Sequence, residues 1–230
     1  MDEEFEFNDA EELRFSVERY EEMIRNKDQQ QDRTRLWTGL SLVSDQTLVI
    51  WKNFFSKTHW TTYKRFLMLE KHQIAPLFSS LNQNNQLISL ADYAGSKNVV
   101  LYFYPKDDTP GCTIEANQFT QRIDQFAEQN TVIIGVSKDS CASHADFVAK
   151  YSLKVELLAD TSGELCENYG VWREREKEGV KSMAIFRSSF IIDKQGRLAE
   201  VMYGVTPEGH AQAVLELIIA LENASTTTSE

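Results

Sequence analysis

The chain has 230 residues, enough for one large domain or for one domain with a substantial appendage, and 42% of them are hydrophobic, enough for a buried core. Its formal net charge of -11 argues against nucleic acid as the main partner, because neutralising phosphates requires clustered Lys and Arg. No run approaches the roughly 20 apolar residues of a transmembrane helix, which argues against integral membrane association.

The first residues and the cysteines both bear on where the chain works. Acidic residues dominate positions 2–6, the reverse of the basic start of a signal peptide, so we expect an intracellular, cytoplasmic location. The three cysteines, Cys112, Cys141 and Cys166, lie far apart and form no CxxC pair and no metal-ligand spacing. The sequence therefore predicts reduced thiols in a reducing compartment, with no metal and no cofactor.

Residues 1–70 are predicted to form a mainly helical N-terminal extension in which we find no catalytic motif. Apolar residues recur at helical spacing from Asp9 to about Lys27. The stretch from Arg33 to His72 is basic and rich in aromatic residues. We expect the extension to pack on the main domain; the alternative is that its basic aromatic stretch contacts a partner or a membrane surface.

Residues 71–222 are predicted to form an α/β domain. The predicted elements are, in order, a hairpin about the turn 83–86, a strand at 99–104, a helix from Cys112 to about Gln129, a strand at 131–137, a helix at 143–151, a strand at 155–159, a short helix at 164–169, strands at 184–192 and 198–203, and a helix from Pro207 to about Leu221. This order indicates a thioredoxin-like fold, with a mixed central sheet flanked by helices. Residues 223–230, rich in Ser and Thr, are predicted to be a disordered tail.

The turn after the strand at 99–104 carries the cysteine of greatest interest. Cys112 follows two prolines and a glycine and is predicted to lie at the start of a helix. Unpaired backbone N–H groups at a helix N-terminus favour an anion, and the thiolate is the nucleophilic form of cysteine. We therefore expect Cys112 to ionise more readily than an ordinary cysteine; the alternative is a small buried apolar residue.

Thr109 stands three residues before Cys112, where a dithiol reductase of thioredoxin-like fold has its first cysteine. Such a reductase would lack one of its two sulfurs here, so the sequence argues against disulfide exchange. A hydroxyl at this position can instead hydrogen-bond a thiolate and a bound oxygen substrate.

A longer pattern surrounds these two residues. Pro105, Thr109 and Cys112 form the spacing PxxxTxxC within the run 102–116. Further matching segments lie at 75–76, 135–140, 143–144, 169–172 and 187–193. Through these segments, which span residues 70–222, the chain resembles the peroxiredoxins, and among them the peroxiredoxin Q or bacterioferritin-comigratory-protein group.

The resemblance implies a thiol-dependent peroxidase that reduces hydrogen peroxide or organic hydroperoxides. Cys112 would be the peroxidatic thiol, oxidised to a sulfenic acid, and Thr109 would hold the peroxide and the thiolate. Arg187 would keep the sulfur ionised and stabilise the charge that develops as the O–O bond breaks. Pro105 would cover the pocket, and Glu115 would orient the arginine.

The resemblance leaves the resolving thiol open. The nearest position at which the group carries one, five residues after Cys112, is Asn117 here. Other members carry it in the next helix, and Cys141 falls just before that helix, so Cys141 is a candidate; Cys166 matches a position that is not generally the resolving one. The alternative is a one-cysteine mechanism with an external thiol.

The resemblance also implies partners: thioredoxin or another thiol as reductant, and a monomer or weak dimer. His144 and His210 are expected to make structural hydrogen bonds, because a thiolate that its surroundings already ionise needs no base. A different class of function stays open beside the peroxidase. The chain would then be a thiol-based redox sensor or binding protein whose N-terminal extension docks a partner.

Overall fold

The computed structural model describes residues 68–177 and 179–227. The residues from Met68 onward form one compact unit. The predicted N-terminal extension lies, up to residue 67, outside the described part of the chain. None of the helices in the described ranges is both long and apolar enough to cross a membrane.

Strands and helices alternate through the first half of this unit. The strands are β1 (Ser79–Leu81), β2 (Leu87–Ser89), β3 (Asn98–Phe103), β4 (Thr131–Ser137), β5 (Glu156–Ala159), β6 (Trp172–Lys177), β7 (Val180–Ile185), β8 (Ser188–Ile192) and β9 (Leu198–Tyr203). The helices are α1 (Pro110–Gln121), α2 (Ile123–Glu128), α3 (Cys141–Tyr151), α4 (Glu164–Asn168) and α5 (His210–Thr227), and a 3-10 turn spans Leu90–Tyr93.

A five-stranded sheet of order β5-β4-β3-β8-β9 forms the centre of the unit. The strands β3, β4 and β5 run parallel to one another, whereas β8 pairs antiparallel with both β3 and β9. The central strand β3 is buried along its whole length, as its continuous apolar sequence predicts. The predicted mixed central sheet is therefore confirmed.

The two faces of the sheet carry separate hydrophobic clusters, because successive side chains of a strand point to opposite faces. Val100 and Tyr102 of β3 belong to one cluster, together with residues of α1, α2, α3 and α5. Val99 and Leu101 belong to the other, together with residues of the 3-10 turn and α4. The helices that follow β3 and β4 thus share one face of the sheet.

The last helix continues beyond its predicted end at Leu221. It runs to Thr227, so the prediction of a disordered tail from residue 223 is wrong up to that residue. The carboxylate of Glu222 accepts hydrogen bonds from Asn98 Nδ2 and Lys194 Nζ, which fasten the late turns of α5 to the sheet. The Ser- and Thr-rich composition from which the tail was predicted gives no information about these long-range hydrogen bonds.

The strand predicted over 184–192 is divided at Phe186 and Arg187 into β7 and β8. β7 also pairs with β6 as an antiparallel hairpin. The sequence does not predict this hairpin, because residues of opposite charge alternate along β6. The carbonyl oxygen of Arg187 accepts hydrogen bonds from the backbone N–H groups of Gly204 and Val205. Arg187 is therefore anchored at a junction between strands and not within one.

Candidate active site

Cys112 lies in the first turn of α1, which follows the C-terminal end of β3. The helix begins at Pro110, two residues earlier than predicted, and the missing N–H of a proline costs no hydrogen bond at this first helical position. Thr109, with extended backbone, is the N-cap residue. The Cys112 residue is only 2% exposed, so its sulfur lies in a nearly dry site beside the N-terminal N–H groups of the helix.

Arg187 contacts the sulfur of Cys112 directly. Its Nη2 donates a hydrogen bond to Sγ over 3.2 Å, although 75 positions separate the two residues in the sequence. A Cβ atom at Gly111 would lie in ordinary contact with this nitrogen, at 3.5 Å, but in tight contact with Pro207 Cγ, at 3.2 Å, so the glycine relieves crowding against Pro207. A cationic donor at this distance favours the thiolate over the thiol.

Glu115 binds the other arm of the same guanidinium. It lies three residues after Cys112 in α1, is fully buried, and accepts a hydrogen bond from Arg187 Nη1 at Oε2. Burial raises the pKa of Glu115 to about 7, although the attraction of Arg187 opposes the shift. Arg187 thus joins two groups of α1 that sequence analysis had placed in one site.

This raised pKa makes stability depend on pH. Between pH 4.5, the ordinary value, and about 7, the folded chain keeps a proton on Glu115 that the unfolded chain has released. The stabilisation from this proton is complete below pH 4.5 and is lost as the pH rises through 7. Relative to Glu115→Gln, we expect the wild-type protein to lose up to about 3 kcal/mol of unfolding free energy between about pH 5 and about pH 8.

Urea denaturation of both proteins across this pH range measures the effect. A difference in unfolding free energy that stays constant with pH would contradict it, because it would mean that Arg187 keeps Glu115 ionised throughout.

The turn before the helix holds the other two predicted site residues. The hydroxyl of Thr109 donates to the backbone carbonyl oxygen of Lys106 over 3.0 Å, so in this state its proton goes to the turn and not to the sulfur of Cys112. Pro105 lies two residues after the end of β3 and is exposed at the surface. The structure thus places both residues in the loop that leads into Cys112.

The two histidines make buried hydrogen bonds, as expected. His210 Nε2 lies 2.7 Å from Ser189 Oγ, and burial followed by the charge of Arg187 lowers the pKa of His210 to about 4. His144 Nδ1 lies 2.9 Å from Asp107 Oδ2. Neither ring hydrogen-bonds the sulfur of Cys112 in the described structure.

The other two cysteines lie in different settings, and all three are free thiols. Cys141 is the first residue of α3 and is half-buried. Because β3 and β4 are parallel and α1 and α3 share a face, Cys141 and Cys112 lie at the same edge and on the same side of the sheet. Cys166 belongs to the cluster on the opposite face, and burial, followed by the charge of Asp160, raises its pKa well above the ordinary range.

Two residues that border the site had no role in the sequence interpretation. Gly111 lies against Pro207 and beside the Arg187 guanidinium, and Asp107 forms a buried contact with His144. Both fall within the matching run 102–116, and only their place in this run could have pointed to them. A single sequence cannot show which members of such a run touch residues far along the chain.

A buried cysteine at a helix N-terminus, paired with an arginine and preceded by threonine, is the arrangement expected of a thiol peroxidase built on a thioredoxin-like fold. The model of the AhpC/TSA family matches residues 72–201, more than half of the chain. The chain therefore belongs to the AhpC/TSA family.

Individual relatives and solved structures show which members of this family the chain is similar to. It is 41% identical over 152 residues to Peroxiredoxin Bcp of Bacillus subtilis, and the aligned region covers 66% of this chain and 96% of that protein. It is 34% identical over 147 residues to Peroxiredoxin Bcp of Escherichia coli, 64% of this chain and 94% of that protein. The solved structure of peroxiredoxin Q from Xanthomonas campestris superposes with a TM-score of 0.60 at 34% identity, over 63% of this chain and 91% of that chain.

These similarities confirm the resemblance to the peroxiredoxin Q group and the thioredoxin-like fold. The chain is a thiol-dependent peroxidase that reduces hydroperoxides. The alternative of a redox sensor or binding protein is not favoured.

Proposed function

We propose that Cys112 is the peroxidatic thiol of this peroxidase and that Arg187 activates it. The observation that carries the proposal is the hydrogen bond of 3.2 Å from Arg187 Nη2 to Cys112 Sγ, in a buried site at a helix N-terminus. The thiolate is the reactive form of cysteine, and both the guanidinium and the helix N-terminus favour it.

In the oxidative step, the thiolate of Cys112 attacks the terminal oxygen of the hydroperoxide. An S–O bond forms as the O–O bond breaks, and the electron pair of the O–O bond leaves on the second oxygen. This oxygen takes a proton from solvent and departs as water or alcohol, leaving Cys112 as a sulfenic acid. Arg187 Nη2 already faces the sulfur, so it is placed to stabilise the negative charge as it moves onto the leaving oxygen.

Three further residues have supporting roles in the proposal. Glu115, through its ion pair, holds Arg187 in the orientation that reaches the sulfur. Thr109 has donated its own proton to Lys106, so its oxygen can accept a hydrogen bond from the O–H group of the peroxide. Pro105 covers the approach to the pocket and limits the entry of water.

Cys141 is the proposed resolving thiol. Its sulfur would attack the sulfenic sulfur of Cys112, a disulfide would form, and the sulfenic oxygen would leave as water. Its position at the same edge and face of the sheet supports this assignment, and the burial of Cys166 on the other face disfavours that residue. Because Cys112 is buried in a helix, the first turn of α1 would unwind before the bond forms.

The reductant, location and assembly complete the proposal. Thioredoxin, or another dithiol, would reduce the disulfide and regenerate both thiols, and a one-cysteine cycle with an external thiol is the alternative. The wide spacing of the three cysteines, without a CxxC pair, supports a cytoplasmic setting. We propose a monomer or a weak dimer.

Mass spectrometry of the full-length protein after treatment with one equivalent of hydrogen peroxide tests the resolving step. We expect a disulfide between Cys112 and Cys141 in the wild-type protein. In Cys141→Ser this disulfide should be absent and further peroxide should convert Cys112 to the sulfinic acid, because no thiol intercepts the sulfenic acid.

Cys166→Ser is the matched control and should form the same disulfide as the wild-type protein. Sulfenic acid without any disulfide in the wild-type protein would instead establish the one-cysteine cycle. A disulfide to Cys166 would contradict the assignment of Cys141.

A further inference from the structure

Asp107 forms a buried cluster with α3 that is separate from the contact between Cys112 and Arg187. It lies in the turn between β3 and α1 and is 6% exposed. Its Oδ1 accepts a hydrogen bond from the hydroxyl of Tyr104 over 2.7 Å, and its Oδ2 accepts one from Ser143 Oγ over 2.7 Å. His144, which is fully buried, brings Nδ1 to within 2.9 Å of the same Oδ2.

Both ring nitrogens of His144 lie beside hydrogen-bond acceptors. Nε2 lies 3.1 Å from the carbonyl oxygen of Leu158, which can only accept a hydrogen bond. Nδ1 faces the carboxylate of Asp107, which also accepts. His144 and Asp107 thus meet with the geometry of a buried ion pair.

Asp107 is suited to its half of this pair. Burial would raise the pKa of Asp107, but hydrogen bonds from His144 and Tyr104 outweigh burial, and the pKa is lowered. Every oxygen and nitrogen of the pair is hydrogen-bonded. Removal of either partner therefore leaves a buried polar group of the other without its hydrogen bond.

The pair fixes the turn that carries Thr109. The backbone N–H of Asp107 donates to Asp139 Oδ2 over 2.9 Å, so both the main chain and the side chain of Asp107 are held. The preceding residue, Lys106, is the acceptor for the hydroxyl of Thr109. The path from α3 to the proposed peroxide-binding hydroxyl thus runs through His144, Asp107 and Lys106.

Arg187 does not depend on this path. Its backbone is anchored by Gly204 and Val205, and its guanidinium is held by Glu115 of α1. The ionisation of Cys112 and the placement of the Thr109 hydroxyl are therefore controlled by different parts of the fold.

We propose that His144 is a positioning residue for peroxide reduction: its buried ion pair with Asp107 holds the turn so that the Thr109 hydroxyl stands ready to bind the peroxide. The proposal rests on the roles of Cys112 and Thr109 given above. It makes the reaction with peroxide depend on His144. It leaves the reaction of the same thiolate with an alkylating reagent, which needs no peroxide-binding hydroxyl, independent of His144.

The test compares these two reactions in the full-length protein. Rapid quenching and mass spectrometry measure the loss of the Cys112 thiol to hydrogen peroxide and, separately, to iodoacetamide. We expect His144→Gln and Asp107→Asn each to slow the peroxide reaction by about tenfold to a hundredfold and to leave alkylation within about twofold of the wild-type rate. The double variant should be no slower than the slower single variant, because the two residues act as a unit.

Lys150→Ala is the matched control. Lys150 also joins α3 to this turn, through an ion pair of 2.6 Å with Asp108, but that pair is exposed and therefore contributes little. Both reactions of this variant should proceed at wild-type rates. A control that slows the peroxide reaction as much as His144→Gln would overturn the proposal, because any link between α3 and the turn would then suffice.

Other results would count against the positioning role or against the function on which it rests. An unchanged peroxide rate in both variants, or an equal slowing of peroxide and iodoacetamide, would refute the positioning role. If His144→Gln does not fold, Ser143→Ala removes one hydrogen bond from Asp107 and keeps the contact between Asp107 and His144. This variant should slow the peroxide reaction alone by about threefold, and wild-type rates in it would count against the proposal. A wild-type protein whose Cys112 resists peroxide would contradict the proposed function itself.

Discussion

Cys112→Ser should lower the rate of peroxide consumption by at least about three orders of magnitude, to the level of the reductant alone. A serine hydroxyl does not ionise beside Arg187 as a thiol does, so the attacking anion is lost. Neither of the other cysteines can replace it: Cys166 is fully buried with a raised pKa, and no arginine in the described part of the chain hydrogen-bonds the sulfur of Cys141. Consumption of hydrogen peroxide by full-length protein with a dithiol reductant is the measurement.

The control for this prediction is Cys166→Ser, which removes a thiol of the same size from the opposite face of the sheet. Its peroxidase activity should remain within about twofold of the wild-type value. Undiminished turnover in Cys112→Ser would show that another group attacks the peroxide.

Arg187→Gln should have the second largest effect, a fall of about a hundredfold to a thousandfold in the rate constant for reaction of Cys112 with peroxide. The substitution removes the charge that faces Sγ and the donor available to the breaking O–O bond. It also leaves Glu115 buried without its cation, and this carboxyl is then protonated more readily. The rate constant is measured from the loss of the reduced thiol after rapid mixing with peroxide.

Two variants separate these effects of Arg187. Arg197→Gln changes an exposed arginine in the turn between β8 and β9 and should leave the rate constant unchanged. Arg187→Gln combined with Glu115→Gln removes the stranded carboxyl, and it should recover stability but not the rate. Recovery of the rate in this double variant would assign the arginine a role in folding alone.

The sequence predicts most of the sheet because local patterns carry that information. The apolar run of β3 reads as a fully buried strand, and it is one. The β6–β7 hairpin has no such signal, since Glu174, Arg175 and Glu176 alternate in charge on a strand pair outside the central sheet. The continuation of α5 depends on Glu222, whose partners lie far away in the chain and cannot be inferred from a Ser- and Thr-rich composition.

The candidate site is likewise predicted by the sequence only in part. Cys112, Thr109 and Arg187 are suggested by a motif, and the placement of Cys112 at a helix N-terminus follows from the strand, turn and helix around it. The contact between Arg187 and the sulfur depends on the strand junction at residue 187, which is a product of tertiary structure. The pairing of Asp107 with His144 likewise requires α3 to pack beside the turn, which no local pattern specifies.

Trapping of the sulfenic acid shows directly whether Cys112 is the thiol that accepts the oxygen atom. The full-length protein is treated with less than one equivalent of hydrogen peroxide in the presence of dimedone, and the modified peptide is located by mass spectrometry. We expect a dimedone adduct on Cys112 and none on Cys166. An adduct confined to another cysteine, with Cys112 left reduced, would contradict it.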